Sequence, residues 1–106
     1  MSTEYIKWDV CLADVPFEEL PKSKVRPVVI LDKQDVSILG LKMTSKPPRA
    51  GEYTLVQWKK AGLKQPTTVR VSKRLKLPNE KIQKKIGHLT PLDIAGIQKA
   101  ISEINT

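Results

Sequence analysis

Few side chains in this sequence are equipped to do chemistry, and most of those are cations and hydroxyls. Arg26 stands between Val25 and Pro27, where a polar loop gives way to the apolar run VVIL. A guanidinium at a strand entrance presents a rigid fork that fits a phosphate bidentately and keeps its charge at any working pH. Thr44 and Ser45 end the next apolar run, just before Pro47 and Pro48. Arg70 lies in the alternating stretch TTVRVS, on one face with Thr68 and Ser72. Arginines with hydroxyls form a set suited to holding a phosphodiester. Taken singly, each has a plainer role: a surface ion pair for Arg26, loop capping for Thr44 and Ser45, a solvated strand face for Arg70.

Other chemistry is poorly supplied. The single histidine, His88, falls at a strand-to-helix junction, where a structural role is the ordinary one. With one cysteine (Cys11) and scattered carboxylates, the chain has no zinc-ligand spacing and no acidic cluster for two magnesium ions. Five glycines include no G-x-x-x-x-G-K loop. Neither a metal nor a cofactor is expected. The lone cysteine also excludes a disulfide framework and suits a reducing cytoplasm.

The elements that must position these groups follow from periodicity. Residues 5–13 alternate Ile6, Trp8, Val10 and Leu12 against Lys7, Asp9 and Cys11, the pattern of a strand with one buried face. Residues 14–24 hold two prolines and mixed charges and read as a loop. Residues 25–32 (VRPVVILD) and 35–44 (DVSILGLKMT) read as two strands joined tightly at Lys33 and Gln34. Antiparallel pairing of these two sets Arg26, at the start of one, beside Thr44 and Ser45, at the end of the other. A loop at 45–52 follows, then short strands at 53–57, 67–77 and 84–89. A helical turn at 58–66 ends at Gly62, and a turn or short helix begins at Pro78. Thr90, Pro91 and Asp93 supply an N-cap hydroxyl, a first-turn proline and an N3 carboxylate. Leu92, Ile94, Ile97, Ala100, Ile101 and Ile104 then mark a helix over 91–104. Several short strands and one C-terminal helix predict a small, strongly bent sheet or barrel.

The chain has 106 residues, which suits one domain spanning 1–106, with roughly 65% of the unfolded chain's surface buried. No apolar run approaches the ~20 residues of a membrane span, and MSTEYIKW lacks a signal peptide's apolar core, so a cytoplasmic protein without membrane contact is expected. Charge is unevenly distributed. Residues 1–45 carry six basic and seven acidic side chains, whereas residues 46–88 carry twelve and two. Such a basic block attracts polyanions, of which nucleic acid is the commonest. A soluble basic surface without a partner is the alternative.

The same positions carry a family resemblance. The run from WDVCLADVPFEE through KSKVRPVVIL is similar to the opening of MazF/PemK-type toxins of bacterial toxin–antitoxin pairs. The matching residues are Asp14, Pro16 and Phe17, then Arg26-Pro27-Val28-Val29-Ile30-Leu31. KMTSKPPR resembles the family's T-[ST] strand exit, and IGHLTPLDIAGIQKAI its closing strand-to-helix segment. The resemblance covers most of the chain. It implies an SH3-like barrel of the MazF/PemK/CcdB kind, mainly β with a C-terminal helix, that forms a homodimer. It also implies a metal-independent endoribonuclease of single-stranded RNA, silenced by a cognate acidic antitoxin. Arg26 then matches the catalytic arginine and Thr44 the catalytic hydroxyl, with Ser45 beside it. Arg70 matches a strand arginine that some members use on the transition state. In those members an acid follows two positions later, where this chain has Ser72. Glu18 and Glu19 are shifted from the acid or histidine that some relatives place before the RP motif.

On that resemblance the basic segment becomes an RNA track. Lys24, Lys46, Arg49, Lys59, Lys60, Lys73 and Arg74 are candidates for backbone contacts. Tyr53 and Trp58 are candidates for base stacking, worth on the order of 1–3 kcal/mol per base, with core packing as their alternative. Two other functions stay open at this point. One is a non-catalytic toxin of the CcdB kind that poisons gyrase. The other is an inactive SH3-like module that binds nucleic acid or protein.

Overall fold

A computed structural model describes residues 5–17 and 21–104. Its elements are β1 (Asp9–Pro16), β2 (Ser23–Lys33), β3 (Ser37–Thr44), β4 (Tyr53–Thr54), β5 (Thr68–Pro78), a 3₁₀ turn (Asn79–Lys81), β6 (Ile82–His88) and α1 (Pro91–Ile104). The strands form one six-stranded sheet in the order β4-β5-β3-β2-β1-β6, antiparallel throughout. The expected mainly-β architecture with a C-terminal helix is the one observed.

The central strands are apolar on both sides because the sheet bends around two cores. Val10, Val29, Leu41, Met43, Val69, Val71 and Ile97 belong to one cluster. Cys11, Ala13, Val28, Ile30, Ile38 and Leu77 belong to the other. The bend has visible causes. β5 takes up extra residues between its pairings Lys42↔Arg70 and Leu41↔Arg74, and bulges of this kind sharpen strand curvature. Helix α1 closes the first core with Ile97, which is fully buried, a burial worth about 2–3 kcal/mol. None of the described helices is long and apolar enough to cross a membrane.

Three expectations are corrected. The first strand begins at Asp9, not at residue 5, and both of its faces are covered: Val10 is fully buried as expected, but so are Asp9 and Cys11, while Ile6 is 64% exposed. Trp8 adopts a left-handed backbone (φ 71°), and Asp9 staples the turn by accepting the Ile6 N–H at 2.7 Å. Burial alone would raise the Asp9 carboxyl. The Ile6 N–H, His88 (2.6 Å) and Lys85 (3.4 Å) outweigh that and hold it below the usual aspartate range. Second, residues 14–16 and 23–24, read as loop, extend β1 and β2 and pair with each other. Third, the Thr90 carbonyl accepts the Ile94 N–H, but its hydroxyl is buried without a partner.

Segment 58–62 is a turn ended by Gly62, as expected, and it lies against the edge strand. Gly62 has φ 87°, and a Cβ there would sit 2.0 Å from the Ile86 carbonyl oxygen, so only glycine fits.

Candidate active site

The hairpin of β2 and β3 delivers the first pair of functional groups. Its register sets Val28 opposite Lys42 and Val29 opposite Leu41, which directs the ends carrying Arg26 and Thr44 toward one another, and both line one cleft. On the other side of β3, Thr44 pairs with Thr68 and Lys42 with Arg70. Adjacent side chains on one face of three strands therefore converge. Arg26, Lys42, Thr44, Lys46 and Arg70 line one cleft together with Val15, Val28 and Met43. A wider, more open hollow continues from it past Lys24, Ser45, Lys64 and Gln65, sharing Arg26, Thr44 and Lys46.

Each group is held from behind. The Arg26 guanidinium lies 5.6 Å from the centroid of the Phe17 ring, a cation–π contact that restrains a long side chain. The Thr44 Oγ1 accepts the Lys46 backbone N–H at 3.1 Å, which leaves its O–H to donate elsewhere. Loop capping and a functional hydroxyl are here compatible roles of one side chain. Arg70 donates through Nε to Glu52 Oε2 at 2.9 Å. Among the described residues no three His, Cys, Asp or Glu side chains gather as metal ligands. The donors in the cleft are cations and a hydroxyl, a set that binds an anion.

The remaining expected site residues divide. Lys24, Ser45 and Lys46 border the clefts. Arg49 lies in the exposed loop before Glu52, and Lys59 and Lys60 are exposed in the 58–62 turn, Lys59 sitting 5.4 Å over the Trp58 ring. Lys73 lies within the bulge of β5 and Arg74 at its far end, and Arg74 lines a separate groove with Val71, Ile101 and Ile104. Tyr53 and Trp58 are half-buried against the core. The Tyr53 hydroxyl donates to Asp93 at 2.8 Å, and its ring lies where a Cβ on Gly96 would meet it at 2.3 Å. Core packing, the alternative for these two aromatics, is what their surroundings provide. Ser72 is exposed and lines neither cleft, and Glu18 and Glu19 lie outside the described residues.

Sequence reasoning missed Lys42 and Glu52. Lys42 hides in an alternating strand as an ordinary outward residue. Glu52 was detectable only through register. With Tyr53 opposite Val69 and Thr54 opposite Thr68, the next step sets Glu52 against Arg70. The acid sought two residues after Arg70 is absent, and one arrives from the neighbouring segment. The Arg49 backbone N–H (2.9 Å) chiefly, and Arg70 next to it, hold the Glu52 carboxyl below the usual range despite its burial.

Comparison with known proteins agrees with this architecture. No curated protein matches the chain in sequence. Among solved structures, Mycobacterium tuberculosis toxin MazF-mt6 superposes with a TM-score of 0.70 at 22% identity, covering 90% of this chain and 93% of that one. An endoribonuclease in complex with its cognate antitoxin, from a Mycobacterial species, superposes with a TM-score of 0.76 at 12% identity, covering 94% and 93%. At such identities the likeness is one of fold. The family model for PemK-like, MazF-like toxins of type II toxin–antitoxin systems matches residues 6–104. The chain therefore belongs to the PemK-like, MazF-like toxin family.

Proposed function

We propose that this toxin is a metal-independent endoribonuclease that cuts single-stranded RNA in the Arg26–Thr44–Arg70 cleft. The observation that carries the reading is the delivery of these three groups, from three adjacent strands, to one small cleft. RNA brings its own nucleophile, so the protein has to position the 2′-hydroxyl in line with the scissile bond and stabilise the phosphorane charge. The O2′–P bond forms as the P–O5′ bond breaks. One proton leaves O2′ and one is delivered to O5′, giving a 2′,3′-cyclic phosphate and a 5′-hydroxyl end. Arg26 holds the phosphate oxygens and hydrogen-bonds the departing oxygen. Thr44, with Ser45 beside it, hydrogen-bonds the phosphate or the 2′-hydroxyl. Arg70 adds charge stabilisation.

Lys24 and Lys46 at the cleft, and Arg49, Lys59, Lys60, Lys73 and Arg74 around it, hold the RNA backbone by charge. The protein works as a cytoplasmic homodimer, and an acidic cognate antitoxin silences it by occupying the basic surface. Family membership and the antitoxin named in a structural neighbour support that partner. The test compares a single-stranded RNA with the DNA of the same sequence in excess EDTA. RNA is cut and DNA, lacking the nucleophile, stays intact. Cleavage of both, or of neither by folded protein, refutes the reading.

A further inference from the structure

Glu52 serves two donors with two oxygens. Oε2 accepts the Arg70 Nε–H at 2.9 Å, and Oε1 accepts the Arg49 backbone N–H at 2.9 Å. The carboxylate itself is only 6% exposed, whereas Arg70 is 31% exposed. The Arg49–Glu52 turn is closed by the Glu52 N–H on the Arg49 carbonyl at 3.1 Å. It requires a positive φ at its third position, which Gly51 supplies at 83°. Across β5 the neighbour of Arg70 on the other side is Lys42. Two cations directly opposed repel, and Glu52 counters that repulsion from the opposite flank. Among the described residues Arg70 bonds through Nε alone, so its Nη donors remain for an anion in the cleft.

We propose that Glu52 is a positioning residue: it fixes the Arg70 guanidinium with its Nη edge toward the phosphate bound by Arg26 and Thr44, and couples that orientation to the 49–52 turn. The inference rests on the nuclease reading above and deepens it. Glu52 touches no reacting atom. Glu52 lines neither cleft, so it is not placed to accept the 2′-hydroxyl proton.

Glu52→Gln is the discriminating variant. An amide has one acceptor oxygen, so its NH₂ must face one of the two N–H donors, and one bond is lost with little change in shape. Three quantities are measured: the single-turnover cleavage rate, the affinity for the same RNA carrying a 2′-deoxy nucleotide at the cut, and the ¹H–¹⁵N resonance of Arg70 Nε–H. The rate falls roughly 10- to 100-fold, the range that ångström-scale misplacement of a catalytic group produces. The affinity changes less than about threefold, because the positive charge remains. The Nε–H resonance shifts and exchanges faster with water. In an Arg70→Ala background the same substitution has almost no further effect on rate, as expected of two residues acting as a unit. Arg70→Lys keeps the charge but lacks the Nε–H, falls by a similar factor, and serves if Glu52→Gln does not fold. A wild-type rate in either variant, an unchanged resonance, or full loss persisting on Arg70→Ala overturns the proposal. Wild-type protein that leaves RNA intact refutes the nuclease reading and with it the positioning role of Glu52 in cleavage, while the resonance still reads the Arg70–Glu52 bond on its own.

Discussion

Asp93 is where the helix, β4 and the segment after it are joined, and removing its carboxylate is the sharpest test of the packing that supports the site. The side chain is fully buried. Its Oδ1 accepts the Tyr53 hydroxyl at 2.8 Å and the Val56 N–H at 2.9 Å, and its Oδ2 accepts the Gln57 N–H at 2.8 Å. Hydrogen bonds to a charged group contribute ~1.5–3 kcal/mol each in mutational series, and buried donors left unmet add to the loss. Taking the low end for three bonds, Asp93→Ala costs about 4.5 kcal/mol. A domain of this size is stable by only about 5–15 kcal/mol, and the loss lowers Tm by roughly 20 °C. Asp93→Asn keeps the oxygen that serves Tyr53 and Val56 and turns an amide toward Gln57, so about half the loss is expected. The assay is urea unfolding followed by the fluorescence of Trp8 and Trp58. Tyr53→Phe costs about 1 kcal/mol in the wild type and nothing measurable in Asp93→Ala. If Asp93→Ala costs under about 1 kcal/mol, the value for an exposed carboxylate on a helix dipole, the reasoning is wrong.

Other consequences are as direct. Gly62→Ala adds a Cβ 2.0 Å from the Ile86 carbonyl oxygen at φ 87° and destabilises by more than about 2 kcal/mol, measured by thermal unfolding. Gly51→Ala has the same backbone sign but open space around it, and costs only the ~1–2 kcal/mol of the conformation itself. Burial chiefly, then the charge of Asp9, pushes the Cys11 thiol up to about 11. Native protein at pH 8 accordingly leaves a thiol reagent unreacted until it unfolds. Burial and then Asp93 push the Tyr53 phenol up to about 12 from an ordinary 10.0. A raised value favours the neutral form in the folded state, so that stability is intact below pH 10 and is lost as pH rises from 10 toward 12. Absorbance titration therefore shows tyrosinate appearing together with alkaline unfolding. Ordinary ionisation at pH 10 in still-folded protein contradicts the burial.

What was legible in the sequence was what local pattern decides. The helix over 91–104 was marked by a starting proline and an uninterrupted apolar stripe, and the structure has Pro91–Ile104. The meeting of Arg26 with Thr44 needed only a tight hairpin, because antiparallel pairing fixes which ends adjoin. The first strand misled because alternation assumes one solvated face, whereas a bent sheet covers both. Asp9 is tolerated inside only because Ile6, Lys85 and His88 arrive from elsewhere. The Thr90 and Asp93 pair had the look of a helix cap, but the carboxylate turns instead to Tyr53, Val56 and Gln57, residues 36 or more positions away. Glu52 was invisible for the same reason: its meeting with Arg70 depends on the register of a two-residue strand, β4.

The proposed function requires Arg26 and Thr44 to drive a reaction and not merely to form a binding surface. The direct measurement is cleavage of a single-stranded RNA in excess EDTA, with product ends mapped, by wild type, Arg26→Ala and Thr44→Val. Wild type is expected to leave a 2′,3′-cyclic phosphate and a 5′-hydroxyl. Either substitution is expected to lose about 100-fold or more, the scale of removing one group that stabilises transition-state charge, with both variants folded. Either variant cutting at the wild-type rate, or wild-type products bearing a 5′-phosphate, would contradict the proposed function.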